Sequence, residues 1–299
     1  MQASVRDPRH GQDSVIGGKK IGAIGSRTPQ AARQSHPRER KMKVVLFCGG
    51  LGTRLREHSD TIPKPLVNIG SRPVLWHLMR YYAHYGHTDF VLALGYRGDM
   101  VREYFLNYSE AMSNDFTLSE SGRKIKLHSS DLDNWRVTFV DTGLHSNIAQ
   151  RLLRVRKYLD GEPMFLANYA DGLSDLPLDS HIAEFSAHDA IASFVSVRSS
   201  QSFHAVHAEP GGLVTHMGAM PDQPLWINGG FFVLRSGIFD YIREGDELVE
   251  QPFARLIGER KLMTLRWEGF WQCMDTFKDK ITLDRMDARG TCPWMVWHK

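Results

Sequence analysis

Residues 44–66, VVLFCGGLGTRLREHSDTIPKPL, pass from an apolar run of β type into a glycine cluster and then to two cations. Gly49, Gly50 and Gly52 form the cluster with Thr53. Arg54 follows at once, and Lys64 stands ten positions on, between Pro63 and Pro65. Glycines let a backbone approach a phosphate chain, and successive N–H groups make a concave anion site. An arginine grips phosphate oxygens through paired donors. A lysine flanked by prolines brings a point charge at reduced entropic cost. The pattern therefore suits a polyphosphate. Two familiar loops are excluded: a dinucleotide fingerprint needs glycine at position 55, where Leu55 stands. A P-loop needs Lys-Ser or Lys-Thr after its second glycine, where Thr53-Arg54 follow Gly52.

Such a segment needs a scaffold. From Met42 onward, strand-like apolar runs at 43–47, 89–94, 135–140, 163–168, 190–197 and 229–234 alternate with helical stretches at 73–85, 98–108, 148–159 and 178–188. Pro73 suits a first helical turn and Gly86 the position after a helix end. Alternation of this kind predicts an α/β fold: a Rossmann-like, mostly parallel sheet with helices on both faces, whose ligands bind at the carboxyl ends of the strands. After about residue 190 the order loosens into short strands and turns, with helical stretches at 251–260 and 276–287. The domain expected is 42–299, a nucleotide-binding core with a C-terminal elaboration.

Composition narrows the partners. Of 299 residues, 42% are hydrophobic and 24% charged, with net charge +3 from 37 basic and 34 acidic residues. Residues 1–41 hold nine of those basic residues and three of the acidic ones, so 42–299 carries 28 against 31 and is slightly acidic. Nucleic acid is not expected as a partner. No apolar run approaches the roughly 18 residues of a membrane span. The first 41 residues, basic and poor in apolar side chains, read as a disordered leader dispensable for the fold. Cys48, Cys273 and Cys292 are too few and too scattered for a disulfide framework or a zinc site, which suits a cytoplasmic protein.

The stretch GGLGTRLREHSDTIPKPLVNIGSRPVLWHLMRYY resembles the signature of the sugar-1-phosphate nucleotidyltransferases, with its GGxGTRL and PKP elements. DFVLALGYRGDMVREYFLNY, DNWRVTFVDTG, INGGFFVL, GFWQCMDTFKD and PWMVW follow in matching order and are similar to the glucose-1-phosphate cytidylyltransferase branch across about 43–297. The resemblance implies a reaction in which an NTP, with CTP favoured, and a phosphorylated acceptor give a nucleotide-activated product and pyrophosphate. It implies that Arg54 and Lys64 are catalytic, and that Gly49, Gly50, Gly52, Thr53, Gly143 and Arg151 line the nucleotide. Asp171 and Asp275 would share Mg²⁺, whose preference is for hard oxygens. Asn228 and Gly229 of INGG would meet the acceptor. Homo-oligomers are common among relatives, and Trp294 and Trp297 offer aromatic surface for packing.

Departures from the family pattern cluster around the acceptor. Ala219-Met220-Pro221 stands where the family carries Glu-Lys-Pro, whose lysine grips the sugar phosphate. Ser202 and His204 replace an arginine and a glycine upstream, and Gln251 replaces a glutamate before proline. Ala149-Gln150 replaces a glycine pair before Arg151, and Ala170 replaces the first glycine beside Asp171. Met220 and Gln251 are thus expected at an altered acceptor site, with Arg198 or His204 as substitute cations. An acceptor other than ordinary glucose 1-phosphate is the resulting expectation. The first alternative is glucose-1-phosphate cytidylyltransferase activity proper, with another group compensating for the lost lysine; the second is a non-catalytic nucleotide-binding homologue, disfavoured by retention of Arg54, Lys64, Asp171 and Asp275.

Overall fold

A computed structural model describes residues 41–50, 62–132, 134–199, 204–220 and 225–298. The leader 1–40 and the Gly52-Thr53-Arg54 part of the phosphate-type loop lie outside them.

Strand β1 (Lys43–Cys48) is apolar and buried along nearly its whole length, as expected of a central strand covered on both faces. It pairs in parallel with β4 (Asp89–Leu94) on one side and β8 (Met164–Tyr169) on the other, and β4 pairs in parallel with β7 (Arg136–Asp141). Beyond β8 the sheet turns mixed. β14 (Phe232–Arg235) is antiparallel to β8 and to β10 (Ala192–Arg198), so β10 again runs with β8. β13 (Trp226–Asn228) continues the β14 side of β10, and β15 (Leu262–Trp267) closes the far edge parallel to β10. Short pairs complete the strands: β2 (Asn68–Ile69) with β3 (Arg72–Pro73), β5 (Phe116–Ser119) with β6 (Lys124–Leu127), β9 (Gly172–Ser174) with β16 (Trp271–Cys273), and β11 (His204–Ala208) with β12 (Val214–Ala219).

Side chains alternate across β1 and divide the core in two. Val44, Leu46 and Cys48 join Val74, Leu75 and Leu78 of α1 (Val74–His84) and the buried Trp294. Val45 and Phe47 meet Leu152 and Val155 of α4 (Ile148–Val155), together with Phe232 and Phe253. The remaining helices are α2 (Gly98–Leu106), α3 (Glu110–Ser113), α5 (Leu178–Ser186), α6 (Gln251–Gly258) and α7 (Phe277–Ala288). Pro73 proves to be the residue capping α1 rather than part of its first turn. Gly86, at φ 85°, ends α1 in a Schellman motif: its N–H donates to Ala83 O and that of His87 to Tyr82 O.

One expectation is corrected here. Trp294 is not surface for a second copy: it is 1% exposed and its Nε1 donates to His77 Nδ1 of α1, while the half-buried Trp297 packs edge-on against Trp76. After residue 190, β10 and β14 stand on the expected runs, and β13 and β15 also join the central sheet.

Candidate active site

The carboxyl ends of β1 and β8 open into a cavity of about 600 Å³, lined among others by Cys48, Gly50, Lys64, Asp171, Asn228 and Asp275. Lys64 opens a 3₁₀ turn, Lys64–Leu66, with Pro63 fixed in extended conformation before it and Pro65 buried after it. The two prolines thus hold the base of the lysine.

Asp171 and Asp275 are 104 residues apart, and a three-residue strand pair unites them. Asp171 lies in the turn between β8 and β9. Antiparallel pairing of β9 with β16 sets Cys273 opposite Gly172, and Met274 N donates to Asp171 O at 3.0 Å. Asp275 then precedes α7, whose Thr276 and Asp279 form a reciprocal capping box. Asp279 also accepts from the Asp275 N–H at 3.2 Å, which fixes the backbone under that carboxylate.

Both carboxylates close on one cation. Lys64 Nζ donates to Asp171 Oδ2 and, at 2.6 Å, to Asp275 Oδ1. Burial alone would lower the lysine pKa, but the two carboxylates outweigh it and hold it above its ordinary value. The ammonium marks where two hard oxygen donors converge, and no cluster of three or more His, Cys, Asp or Glu suited to a metal occurs among the described residues. Two carboxylates with the remaining positions open is the donor set that Mg²⁺ takes when substrate phosphates complete its shell, so the residues fit that ion. Cys273, beside them, is pushed up to about 12 by burial and by Asp275 and Asp171. Burial raises Cys48 further still. Neither thiol is poised as a nucleophile.

Arg151 occupies a different position from the cavity-lining residues. It is 3% exposed, and its guanidinium donates to Gly49 O (2.9 Å), Leu94 O (3.1 Å), Gly143 O (3.0 Å), Leu144 O (3.4 Å) and Thr142 Oγ1 (2.6 Å). A Cβ on Gly49 would overlap this guanidinium, so the glycine is required there by the protein's own arginine. Gly143, at φ 81°, presents its carbonyl to the same group. Of the predicted nucleotide-lining glycines described, Gly50 is on the cavity wall, while Gly49 and Gly143 stand with Arg151 behind it.

On the other side, Asn228 and Gly229 do reach the wall. Asn228 Oδ1 accepts from Gly230 N at 2.9 Å, and its Nδ2 lies 3.5 Å from Tyr169 Oη. Trp271 Nε1 donates to Gly229 O at 2.8 Å. The step between β13 and β14 needs two left-handed residues, Gly230 at φ 78° and Phe231 at φ 51°, and Asn168 Oδ1 stabilises it by accepting from Phe231 N. Met220 and Gln251 are not on this wall. Met220 follows β12, and Gln251 opens α6, where its Oε1 accepts from Glu247 N. His204 sits opposite Ala219 on the exposed hairpin.

Three residues unassigned from the sequence stand out: Asn168, Tyr169 and Trp271 line the cavity. Tyr169 is pushed up to about 12 by burial, with the Glu247 carboxylate adding to it. Trp271 lies inside the GFWQCMDT stretch, and the position of Asn168 and Tyr169 at the carboxyl end of a buried strand was the available signal.

Residues 43–260 match the family model described as nucleotidyl transferase. The chain is 37% identical over 257 residues to glucose-1-phosphate cytidylyltransferase of Salmonella typhi, covering 86% of this chain and all of that one. It is 27% identical over 263 residues to mannose-1-phosphate guanyltransferase of Schizosaccharomyces pombe, covering 85% of this chain and 64% of the relative. Among solved structures, an apo UDP-glucose pyrophosphorylase superposes with a TM-score of 0.61 at 17% identity over 83% of this chain and 99% of that one, a likeness of fold. With a matching sheet, a matching order of motifs and this extent of identity, the chain belongs to the nucleotidyl transferase family.

Proposed function

We propose that the protein transfers a nucleotidyl group from an NTP, with CTP the favoured donor, to the phosphate of a sugar 1-phosphate. An oxygen of the acceptor phosphate forms a bond to the α-phosphorus, the bond from that phosphorus to the β-bridging oxygen breaks, and pyrophosphate leaves with the electron pair. No covalent enzyme intermediate is required, so the protein's share is positioning and charge neutralisation.

The observation that carries this reading is the convergence of Lys64, Asp171 and Asp275 at the mouth of β1 and β8. Asp171 and Asp275 would hold Mg²⁺, which supplies charge neutralisation on the phosphates when bound. Lys64, released from the carboxylates, has the mobile charge to follow the α-phosphate. Arg54, outside the described residues, takes the triphosphate and leaving pyrophosphate by resemblance alone. Gly50 offers backbone to the nucleotide, and Arg151 acts as a positioning residue through Gly49 and Gly143. Asn228 and Gly229, on the cavity wall, would meet the acceptor.

For the acceptor, the sequence alone, with Ala219-Met220 in place of a charged pair, suggests a sugar phosphate other than ordinary glucose 1-phosphate, while Met220 itself stands off the described cavity wall. The second reading, glucose 1-phosphate itself, is favoured by the 37% identity to a cytidylyltransferase of that name. The test is pyrophosphate release with each NTP against a panel of sugar 1-phosphates. Release with CTP at least roughly tenfold faster than with other donors, and slower with glucose 1-phosphate than with another acceptor, supports the main reading. Fastest release with glucose 1-phosphate restores the second, and no release with any pair overturns both.

A further inference from the structure

Of the seven tryptophans in the chain, Trp271 alone is on the described cavity wall. It opens β16, and the alternate residues Trp271, Cys273 and, just past the strand, Asp275 all line the cavity. Gln272 turns the other way, where its Nε2 donates to Asp279 Oδ1 at 3.1 Å. One short strand therefore sets an indole, a thiol and the carboxylate of Asp275 in a row.

The indole is held by its edge. Nε1 donates to Gly229 O at 2.8 Å, and Gly229 N donates to Val195 O of β10 at 2.7 Å, which ties the ring to the central sheet. Glycine is what admits it. A Cβ on Gly229 would stand 3.1 Å from Nε1, from Val195 O and from Val197 Cγ1, and one on Gly172 would stand 3.9 Å from Nε1. The nitrogen edge thus lies between the residue after Asp171 and the residue after Asn228. Gly229 belongs to the step between β13 and β14 on one side of β8, and Gly50 follows β1 on the other, so the indole is on the acceptor side. No aromatic ring among the described residues packs on it, whereas Trp76, Trp135 and Trp294 each have a ring partner.

What the indole can offer follows from what it has already spent. Its N–H is its only hydrogen-bonding group, and Gly229 O takes it. A ligand can therefore meet only carbon and the electron-rich ring system. The wall beside it is equally neutral: Ile227 and Cys273 line it too, and Lys64 is the sole cationic side chain among the described lining residues. A pyranose answers to such a surface, because its C–H bonds gather on the faces of the ring while its hydroxyls point out from the rim. C–H hydrogens carry slight positive charge and suit the negative face of an aromatic ring. We propose that Trp271 is the platform for the acceptor's sugar ring, taking a C–H face of a pyranose while Asn228 meets a hydroxyl at its rim. This rests on the chain being a sugar-phosphate nucleotidyltransferase. It gives the acceptor a source of binding that needs no further cation on this wall.

The experiment follows pyrophosphate release from the full chain, with whichever of glucose, galactose and mannose 1-phosphate is turned over fastest. Two inhibitors probe the platform: cyclohexyl phosphate, a ring without hydroxyls, and glycerol 3-phosphate, hydroxyls without a ring. Cyclohexyl phosphate should compete with the acceptor at least roughly tenfold more tightly, and Trp271→Leu should erase that lead. The same variant should raise the acceptor KM roughly tenfold while kcat and the NTP KM stay within about threefold. Trp271→Phe keeps an aromatic face without the bond to Gly229 O, and should recover most of the loss. Equal inhibition by the two probes in the parent protein would overturn the platform without any variant. So would a KM rise confined to the NTP, which would put a nucleobase on the indole. Loss of Mn²⁺ affinity in step with the acceptor KM, or a Trp271→Phe protein no better than Trp271→Leu, would make the indole a brace for Asp275 instead. Each of these leaves the transferase reading standing. No release with any NTP and acceptor would overturn that reading and the platform with it.

Discussion

Two buried cations stand by the glycine-rich segment, and they are held in opposite ways. Lys64 is gripped by two carboxylates, Asp171 and Asp275, on the cavity wall. Arg151 is saturated by four backbone carbonyls and a hydroxyl behind that wall. A carboxylate pair is a partner that another cation can take over. Neutral carbonyls from three stretches of backbone, at Gly49, Leu94 and Gly143-Leu144, are not, because removing the arginine takes a donor from all of them at once. The first arrangement stores an exchangeable charge, and the second locks the shape of the loop.

The largest effect should come from destroying the exchangeable site. Asp171→Asn or Asp275→Asn keeps side-chain size and removes the charge that holds a hard cation, so pyrophosphate release should fall by about 10³-fold with little change in melting temperature. Near-parental turnover at limiting Mg²⁺ would remove the distinction between the two cations.

Breaking the structural arrangement should appear in stability instead. Arg151→Met removes a donor from four carbonyls and from Thr142 Oγ1, and urea unfolding should show a loss of about 3 kcal/mol that added Mg²⁺ does not restore. Gly49→Ala drives a methyl into the same guanidinium and should lose in the same direction, by about 2 kcal/mol. A fully stable Gly49→Ala protein with weakened nucleotide binding would assign the glycine to substrate contact.

Smaller still is the pH dependence, which should come from neither cation. Burial pushes His77 and His181 down to about 4, from an ordinary 6.5. Between those values the unfolded chain binds more protons than the folded one, so stability is present above pH 6.5 and drains away as pH falls toward 4. Unfolding free energies from urea titration at pH 7.0 and 5.5 should differ by about 1 kcal/mol per histidine. A flat profile would contradict the buried neutral state of both rings.

The legibility of the molecule followed the same division. Long buried strands such as Lys43–Cys48 and Asp89–Leu94 announce themselves, because both faces are covered and the apolar run is nearly continuous. The three-residue pair β9 with β16 does not, although it alone brings Asp171 to Asp275. Too few residues are involved for any periodicity. The hairpins β5–β6 and β11–β12 are exposed on most positions and leave no apolar pattern to read. At the site, Lys64, Asp171 and Asp275 came from motif resemblance, and the structure brings those three together. The environment of Arg151 was illegible because its partners are mostly main-chain carbonyls, which every sequence has. Met220 and Gln251 were placed by motif position, yet the turn after β12 and the start of α6 keep them off the described wall of the cavity.

The claim that Lys64 occupies an exchangeable cation position is tested most directly by Mn²⁺ titration, followed by electron paramagnetic resonance without nucleotide. Lys64→Met leaves the carboxylate pair without its internal counter-ion, so this variant should bind Mn²⁺ at least roughly tenfold more tightly than the parent chain. Adding Asp275→Asn should abolish the gain. Equal Mn²⁺ affinity in the parent and Lys64→Met proteins would contradict the account, because the lysine would then not be competing for the place the two aspartates define.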